Sequence, residues 1–478
     1  MEKNNRSEAI PSRIADCESL MKKAFGISSD IVIQAFETQK GKAMIVYVDG
    51  LSNTDLIDRD VISPLKSRDF EGDVTGAIQS HFTEVLNIPA CVGQILQGNT
   101  AIFYEGKKKA FIVDFKKFET RSVDVPDSEA VIRGPREGFT ENLRTNTSLL
   151  RRKIRSPKLI IEHTSLGRQT NTAICIAYMD GIVNRDIYKE VKYRLTKIDT
   201  DAILESGYIE QYIGENTLSP IAGMSITQKP DVVAARVLEG RVAIMCDGTP
   251  HVLTIPELFI ENFQTAEDKY NRVLLSSFLR LLRLFGLFIT VLLPGLSVAV
   301  ITYNQEMMPA VFLKSLISST SKTPFPMGAE IFLIVVMFEL LREAGTRLPK
   351  AVGSAITIVG ALIIGDAAVS AGIVSAPTVI IVALTAVTSF IVPSLVEFTL
   401  VYRLLLLLLG GMMGLIGIGA GLTIMLIQII STSSFGVSVL SSFSKEEMKD
   451  SVIRFPLWSL VYRPISIVKE NRKRKIKK

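Results

Sequence analysis

The chain has 478 residues, a formal net charge of +6 and 47% hydrophobic residues. That length suggests about three domains, yet the apolar residues gather in the last ~200 positions, which excludes a row of similar soluble domains. The basic excess is local, at residues 133–155 and in the tail from Arg472 to Lys478, so a general nucleic-acid-binding character is not indicated.

The first residues, Met1-Glu-Lys-Asn-Asn-Arg-Ser-Glu, are polar and lack a secretory apolar run, which predicts a cytoplasmic first domain. Cys17, Cys91, Cys175 and Cys246 are scattered singly without metal-ligand spacing. Reduced, buried thiols are expected, with no disulfide framework, metal site or cofactor.

Residues 1–130 read as a first α/β subdomain. Strand-like runs at 31–36 and 43–48 end in Asp49-Gly50, a turn signal. Ser52, Asn53 and Thr54 offer N-caps for a helix to Lys66. A second helix is predicted from His81 to Leu96, followed by strands at 101–104 and 110–113, an α/β or α+β arrangement of layers.

Residues 131–155 read as a basic connector helix opening at Arg133-Gly134-Pro135-Arg136, with Phe139, Leu143, Leu150 and Ile154 on one face. Glu137 and Glu141 lie early and Arg151, Arg152 and Lys153 late, which suits the helix dipole. The plain expectation is a solvated basic face. The sharper one sets these arginines against anionic headgroups or a neighbouring subunit, with nucleic acid a poor third.

Residues 156–270 repeat the first subdomain. Tyr47-Val-Asp49-Gly50 returns as Tyr178-Met-Asp180-Gly181, and 95–106 returns as 237–248, in the same order. Two related subdomains are expected, with a cleft between them as a common place for ligands. His81, His163 and His251 lie far apart, and only His163 has a carboxylate beside it, Glu162. Asp49 and Asp180 read as turn residues. With no phosphate-cradling loop either, no enzyme is expected.

Residues 271–435 read as a helical transmembrane domain and 436–478 as a C-terminal cytoplasmic segment with a basic tail. Arg272, Arg280 and Arg283 precede the apolar run 284–301, broken only at Pro294-Gly295, and by the positive-inside rule the N-terminal region faces the cytoplasm. Residues 305–322 are amphipathic and carry Lys314, which suits a surface or re-entrant element. The run 331–341 falls short of the ~20 residues a helix needs to span, so it is either re-entrant or spans with its charges sheltered. Residues 352–374 and 376–393 read as a hairpin across the bilayer, and 404–430 as a last long helix. Four or five spans follow, and the basic tail favours four.

Charges are embedded in this apolar half. Glu330, Glu339, Arg342, Glu343 and Arg347 form an intramembrane charged cluster, of which 339–349 reads as a paired elbow near the cytoplasmic face. Small residues predict close helix packing at Gly360, Ala361, Gly365 and Ala368 and again at Gly410, Gly414, Gly417 and Gly421. The neighbouring face, Val359, Leu362, Asp366 and Ser370, is the pore-lining candidate, with a constriction at Leu362 that gates by dewetting and a carboxylate at Asp366.

Four stretches carry a family resemblance: Arg133-Gly-Pro-Arg136-Glu-Gly-Phe139 with Asn146 and Leu149-Leu-Arg-Arg152; Arg342-Glu-Ala-Gly345-Thr-Arg347-Leu-Pro349; Gly360-Ala-Leu-Ile-Ile-Gly365-Asp-Ala-Ala-Val369; and Ser451-Val-Ile-Arg454-Phe-Pro456. Over nearly its whole length the chain resembles the A subunit of the spore germinant receptors of endospore-forming bacteria, the GerA type. The resemblance implies a multi-pass protein of the inner spore membrane that works with a transporter-like B subunit and a lipoprotein C subunit. It also implies that A subunits oligomerise into a nutrient-gated ion channel. The alternatives are a paralogous A-type subunit that amplifies germination without sensing a nutrient, and a secondary transporter, suggested by the broken apolar segments with internal acids.

Overall fold

The computed structural model describes residues 9–67, 70, 72–78, 80–117, 133–216, 219–347, 365–440, 449–468 and 471–474. Strands β1 (Ile31–Thr38), β2 (Gly41–Val48), β3 (Phe82–Val85), β4 (Thr100–Tyr104) and β5 (Ala110–Val113) form an antiparallel sheet in the order β1-β2-β4-β5-β3. A second antiparallel sheet repeats it: β6 (Leu159–Leu166), β7 (Thr172–Met179), β8 (Ser225–Thr227), β9 (Val242–Cys246) and β10 (Val252–Ile255), in the order β6-β7-β9-β10-β8. The sequence repeats therefore mark one topology used twice.

Each sheet is covered on both faces, because alternate side chains point to opposite sides of a strand. Met44, Val46, Phe103 and Ile112 pack under α1 (Ile14–Phe25) and α2 (Ile88–Ile95), whereas Ala43, Ile45, Ile102 and Phe111 pack under the helical stretch 54–66. In the second copy, Cys175, Ala177 and Met245 pack under α3 (Leu143–Lys153), and Ile174, Ile176 and Ile244 under α4 (Arg185–Thr196), α5 (Ser206–Ile213) and the C-terminal residues Ile467 and Val468. On the α3 face lies α6 (Pro230–Leu238), whose Val233 and Val237 join that cluster.

Two expectations for this half are corrected. Residues 81–96 are not one helix, because Phe82-Thr-Glu-Val pairs with β5 as an edge strand and the Asn87 cap, whose side chain accepts from the Ala90 N–H, starts α2 only at Ile88. The helix expected from Gly134-Pro135 starts at Leu143, capped by Asn142. It precedes β6 as α1 precedes β1, so it packs as the first helix of the second copy. Phe139, Leu143, Leu150 and Ile154 are all buried there.

The apolar half begins with α7 (Val273–Tyr303), which runs through Pro294 without interruption. α8 (Ala310–Thr320), α9 (Met327–Arg347), α10 (Ala376–Ser389) and α11 (Val396–Ser431) follow. α9 is longer than the run 331–341 suggested, since its charges are paired rather than helix-ending. Among the described helices, Val273–Tyr303 is long and apolar enough to cross a membrane, and the stretch Pro393–Ser431 has the length and composition for it only if it runs straight.

α11 is not one rod. Gly414 sits at φ 63°, ψ −142° and reverses the chain. Tyr402 then hydrogen-bonds Gln428, and a Cβ on Gly421 would lie 2.5 Å from Leu406. Arms 396–413 and 415–431 thus form a helical hairpin, each arm falling short of the ~30 Å hydrocarbon core at 1.5 Å per residue. The single last helix of the sequence reading is corrected accordingly. Gly410, Gly417 and Gly421 serve packing inside this hairpin and against α7, where a Cβ on Gly410 would lie 2.6 Å from the Gly295 carbonyl.

Candidate functional site

The embedded charges separate into three places. At one end of α9, Glu330 is fully buried. Its Oε2 accepts from the Ser375 N–H at 3.0 Å, the Ser375 hydroxyl at 2.8 Å and the Thr378 hydroxyl at 2.8 Å, and its Oε1 from the Thr323 hydroxyl. Ser375 is the N-cap residue of α10, so a carboxylate from a neighbouring helix supplies the cap and the negative charge that this terminus favours.

Further along α9, Glu339 binds two arginines, Arg342 one turn on and Arg403 from the first arm of α11. Arg403 is 2% exposed, and its Nε has no partner among the described residues. It lies one turn from Leu406, whose carbonyl a Cβ on Gly295 would touch, so the pair stands level with the apolar middle of α7. A charge there needs a partner because desolvation is not otherwise offset. Glu343 and Arg347 pair with each other at 2.6 Å but are 61% and 78% exposed, a contact worth well under ~1 kcal/mol. The five-residue cluster of the sequence reading is therefore a cap, a buried pair and a surface pair. Arg403 escapes that reading, which starts the last helix at Leu404 and leaves Tyr402-Arg403 as its lead-in.

Val359, Leu362, Gly360 and Ala361 fall outside the described residues. Residues 365–370 are helical, with Asp366 and Ser370 exposed, Ala368 half-buried, and Gly365 facing Val379, to which a Cβ would come within 3.5 Å.

A polar joint ties this half to the soluble one. Arg280 of α7 is 1% exposed and donates to Asp268 at 2.9 Å, to the Asp450 carbonyl at 2.6 Å and to the Ser451 carbonyl at 3.0 Å. Arg283 donates to Asp268 at 2.9 Å. Arg454 reaches the Asn271 carbonyl at 2.6 Å and the Lys269 carbonyl at 3.1 Å. Nearby, burial alone would raise the Glu239 carboxyl, but the field of Lys269, Arg241 and Arg474 overcomes it and holds it well below the usual range. Burial instead pushes Glu257 up to about 8, since the opposing field of Arg236 and Arg241 is weaker there and Glu261 adds to the rise.

The soluble-half candidates resolve into structure. Arg151 is 1% exposed and spends its guanidinium on Asp30 at 2.7 and 2.8 Å, the Ser28 hydroxyl at 3.0 Å and the Ser156 and Leu159 carbonyls at 3.1 Å, which joins the two subdomains. Neither lipid nor solvent reaches it, contrary to the solvated or lipid-facing basic face. Arg152 pairs with Glu137 at 3.3 Å, while Arg133 and Arg136 are exposed. Pro135 is half-buried, and Gly134 packs against Tyr270, to which a Cβ would come within 2.8 Å. The repeated Asp49 and Asp180 each pair with an arginine, Arg144 and Arg185. Burial raises the thiols of Cys17 to about 11 and of Cys91 to about 12. Among the described residues no group of three or more His, Cys, Asp or Glu could hold a metal ion.

Residues 19–466 match the model of the family described as Bacillus/Clostridium GerA spore germination protein. Spore germination protein KA of Bacillus subtilis (strain 168) is 41% identical over 95% of this chain and 86% of its own length. Uncharacterized membrane protein YfkQ of the same organism is 38% identical over 97% of this chain and 93% of its own. Spore germination protein B1, also from that organism, is 34% identical over 95% and 97%. Among solved structures, the N-terminal domain of the A subunit of the Bacillus megaterium spore germinant receptor GerK3 is 30% identical over 53% of this chain and 99% of its own, with a TM-score of 0.42.

Proposed function

The chain belongs to the GerA family of spore germination proteins, and we propose that it acts, without catalysis, as the A subunit of a nutrient germinant receptor in the inner spore membrane. In this reading its copies oligomerise around an ion path, its N-terminal half faces the cytoplasm, and a transporter-like B subunit and a lipoprotein C subunit complete the receptor.

One observation carries the ion path. Asp366 lies in an otherwise uncharged apolar run and is exposed among the described residues. A carboxylate at membrane depth faces protein or water, and in this reading it faces the water path that the copies enclose. The Arg280–Asp268 joint gives the soluble half a mechanical hold on α7, which packs against both α10 and the hairpin.

The test uses the full chain reconstituted in proteoliposomes together with its B and C partner subunits. Amine-reactive cross-linking should give a ladder that ends at a fixed number of copies, and Asp366→Asn should lower cation flux, as expected when a ring of carboxylates loses its charge. A monomer throughout, or unchanged flux, refutes the reading.

A further inference from the structure

We propose that residues 453–458, Ile-Arg-Phe-Pro-Leu-Trp, form an anchor that lies in the lipid headgroup region beside the first turns of α7. The inference rests on the membrane reading given above.

The segment is apolar, outward-facing and held in place. Trp458 is 75% exposed, Leu457 52%, Ile453 51% and Phe455 42%. Between them Arg454 turns inward, 4% exposed, and fixes the segment to α7: its N–H donates to the Ser277 hydroxyl at 3.1 Å, and that hydroxyl donates to its carbonyl at 3.2 Å. Disorder therefore does not account for the exposed side chains, since the backbone that carries them is bonded to a helix.

The surface beside it says what covers it. Leu274, Phe278 and Phe285, at helical spacing on the same helix as Ser277, are 87%, 60% and 65% exposed. The segment therefore continues the face that α7 presents to lipid and lies at its soluble end, where Arg272 is exposed and suits anionic headgroups. An indole has an apolar body and one N–H donor, which suits the boundary between acyl chains and water. Pro456 stiffens the strip and removes one donor that would otherwise need a partner.

Trp458 is the only tryptophan of the chain, so it reports on its own site. The full chain is reconstituted in phosphatidylcholine and phosphatidylglycerol vesicles, with and without bromine on the upper acyl chains. Expected are blue-shifted emission, quenching by bromolipid of at least about twofold, as for an interfacial ring, and weak quenching by aqueous iodide. Absence of bromolipid quenching overturns the anchor, with strong iodide quenching meaning a solvated strip and weak quenching a protein contact. A second chain, carrying Trp458→Phe together with Phe285→Trp, moves the single indole onto the exposed face of α7 and separates the failures. If the indole at position 285 is quenched by bromolipid and Trp458 of the unaltered chain is not, the anchor alone is wrong. If neither is quenched, the membrane reading falls with it.

Discussion

Arg403 and Glu339 hold their charges at a depth where neither keeps a full hydration shell, so each depends on the other. Glu339→Gln leaves the 2% exposed guanidinium without its carboxylate. The expected loss is about 3–5 kcal/mol, the usual result of breaking a buried pair from one side. Thermal unfolding of the full chain in detergent reads it, and adding Arg403→Met should recover most of the loss. An unchanged midpoint in the single variant shows that the pair is solvated. Glu257, in the soluble half, gives a prediction of opposite character. With its carboxyl raised from 4.5 to about 8, the folded chain binds a proton that the unfolded chain has released across that window. Stability should therefore fall as pH rises from about 4.5 to 8 and then level, by at most ~1.4 kcal/mol per pH unit. Glu257→Gln should flatten that stretch of the profile, and an identical slope in the variant shows that the proton is elsewhere. Neither Arg403 nor Glu257 could be singled out in sequence, because their environment is made by residues far along the chain.

At the scale of the element, the hairpin in α11 decides how the apolar half is built. A straight helix would hold Tyr402 and Gln428 about 39 Å apart, whereas here they share a hydrogen bond. Tyr402→Cys with Gln428→Cys, too far apart for a direct disulfide, should be bridged within one chain by a bifunctional thiol-reactive reagent of about 10 Å reach, detected as a mobility shift, and a straight helix forbids it. Gly414 makes the reversal possible. Its positive φ costs other residues about 1–2 kcal/mol, and Tyr303 already stands 3.0 Å from where a Cβ would be. Gly414→Ala should lower the yield of folded protein, and wild-type yield and stability in that variant mean that the turn relaxes. The Gly-x-x-x-Gly spacing is visible in sequence. Its partner is not visible, because a glycine that reverses a chain and one that admits a neighbour look alike until φ is known.

Across the whole molecule, two copies of one sheet topology stand on the apolar half, and the C-terminal segment binds them to it. Ile467 and Val468 are fully buried in the second copy, and Arg474 pairs with Glu239 at 2.8 Å. Ile467→Ala should therefore cost about 2–5 kcal/mol, read as a lower unfolding midpoint, although the residue lies past the long apolar helices among the described residues. A loss below about 1 kcal/mol, less than a buried isoleucine should cost, means that the segment is only loosely attached. The repeat, the strands at 43–48, 101–104 and 110–113, the late apolar half and the charged positions were all legible, because turn signals, alternation and hydropathy are local properties of the chain. The edge strand at Phe82, the place of α3 as the first helix of the second copy, the burial of Arg151 and the choice of Arg403 as the partner of Glu339 were decided only in three dimensions. Each depends on which distant surface comes to rest against it, and desolvation by that surface turns an ordinary arginine or carboxylate into one the fold must pair.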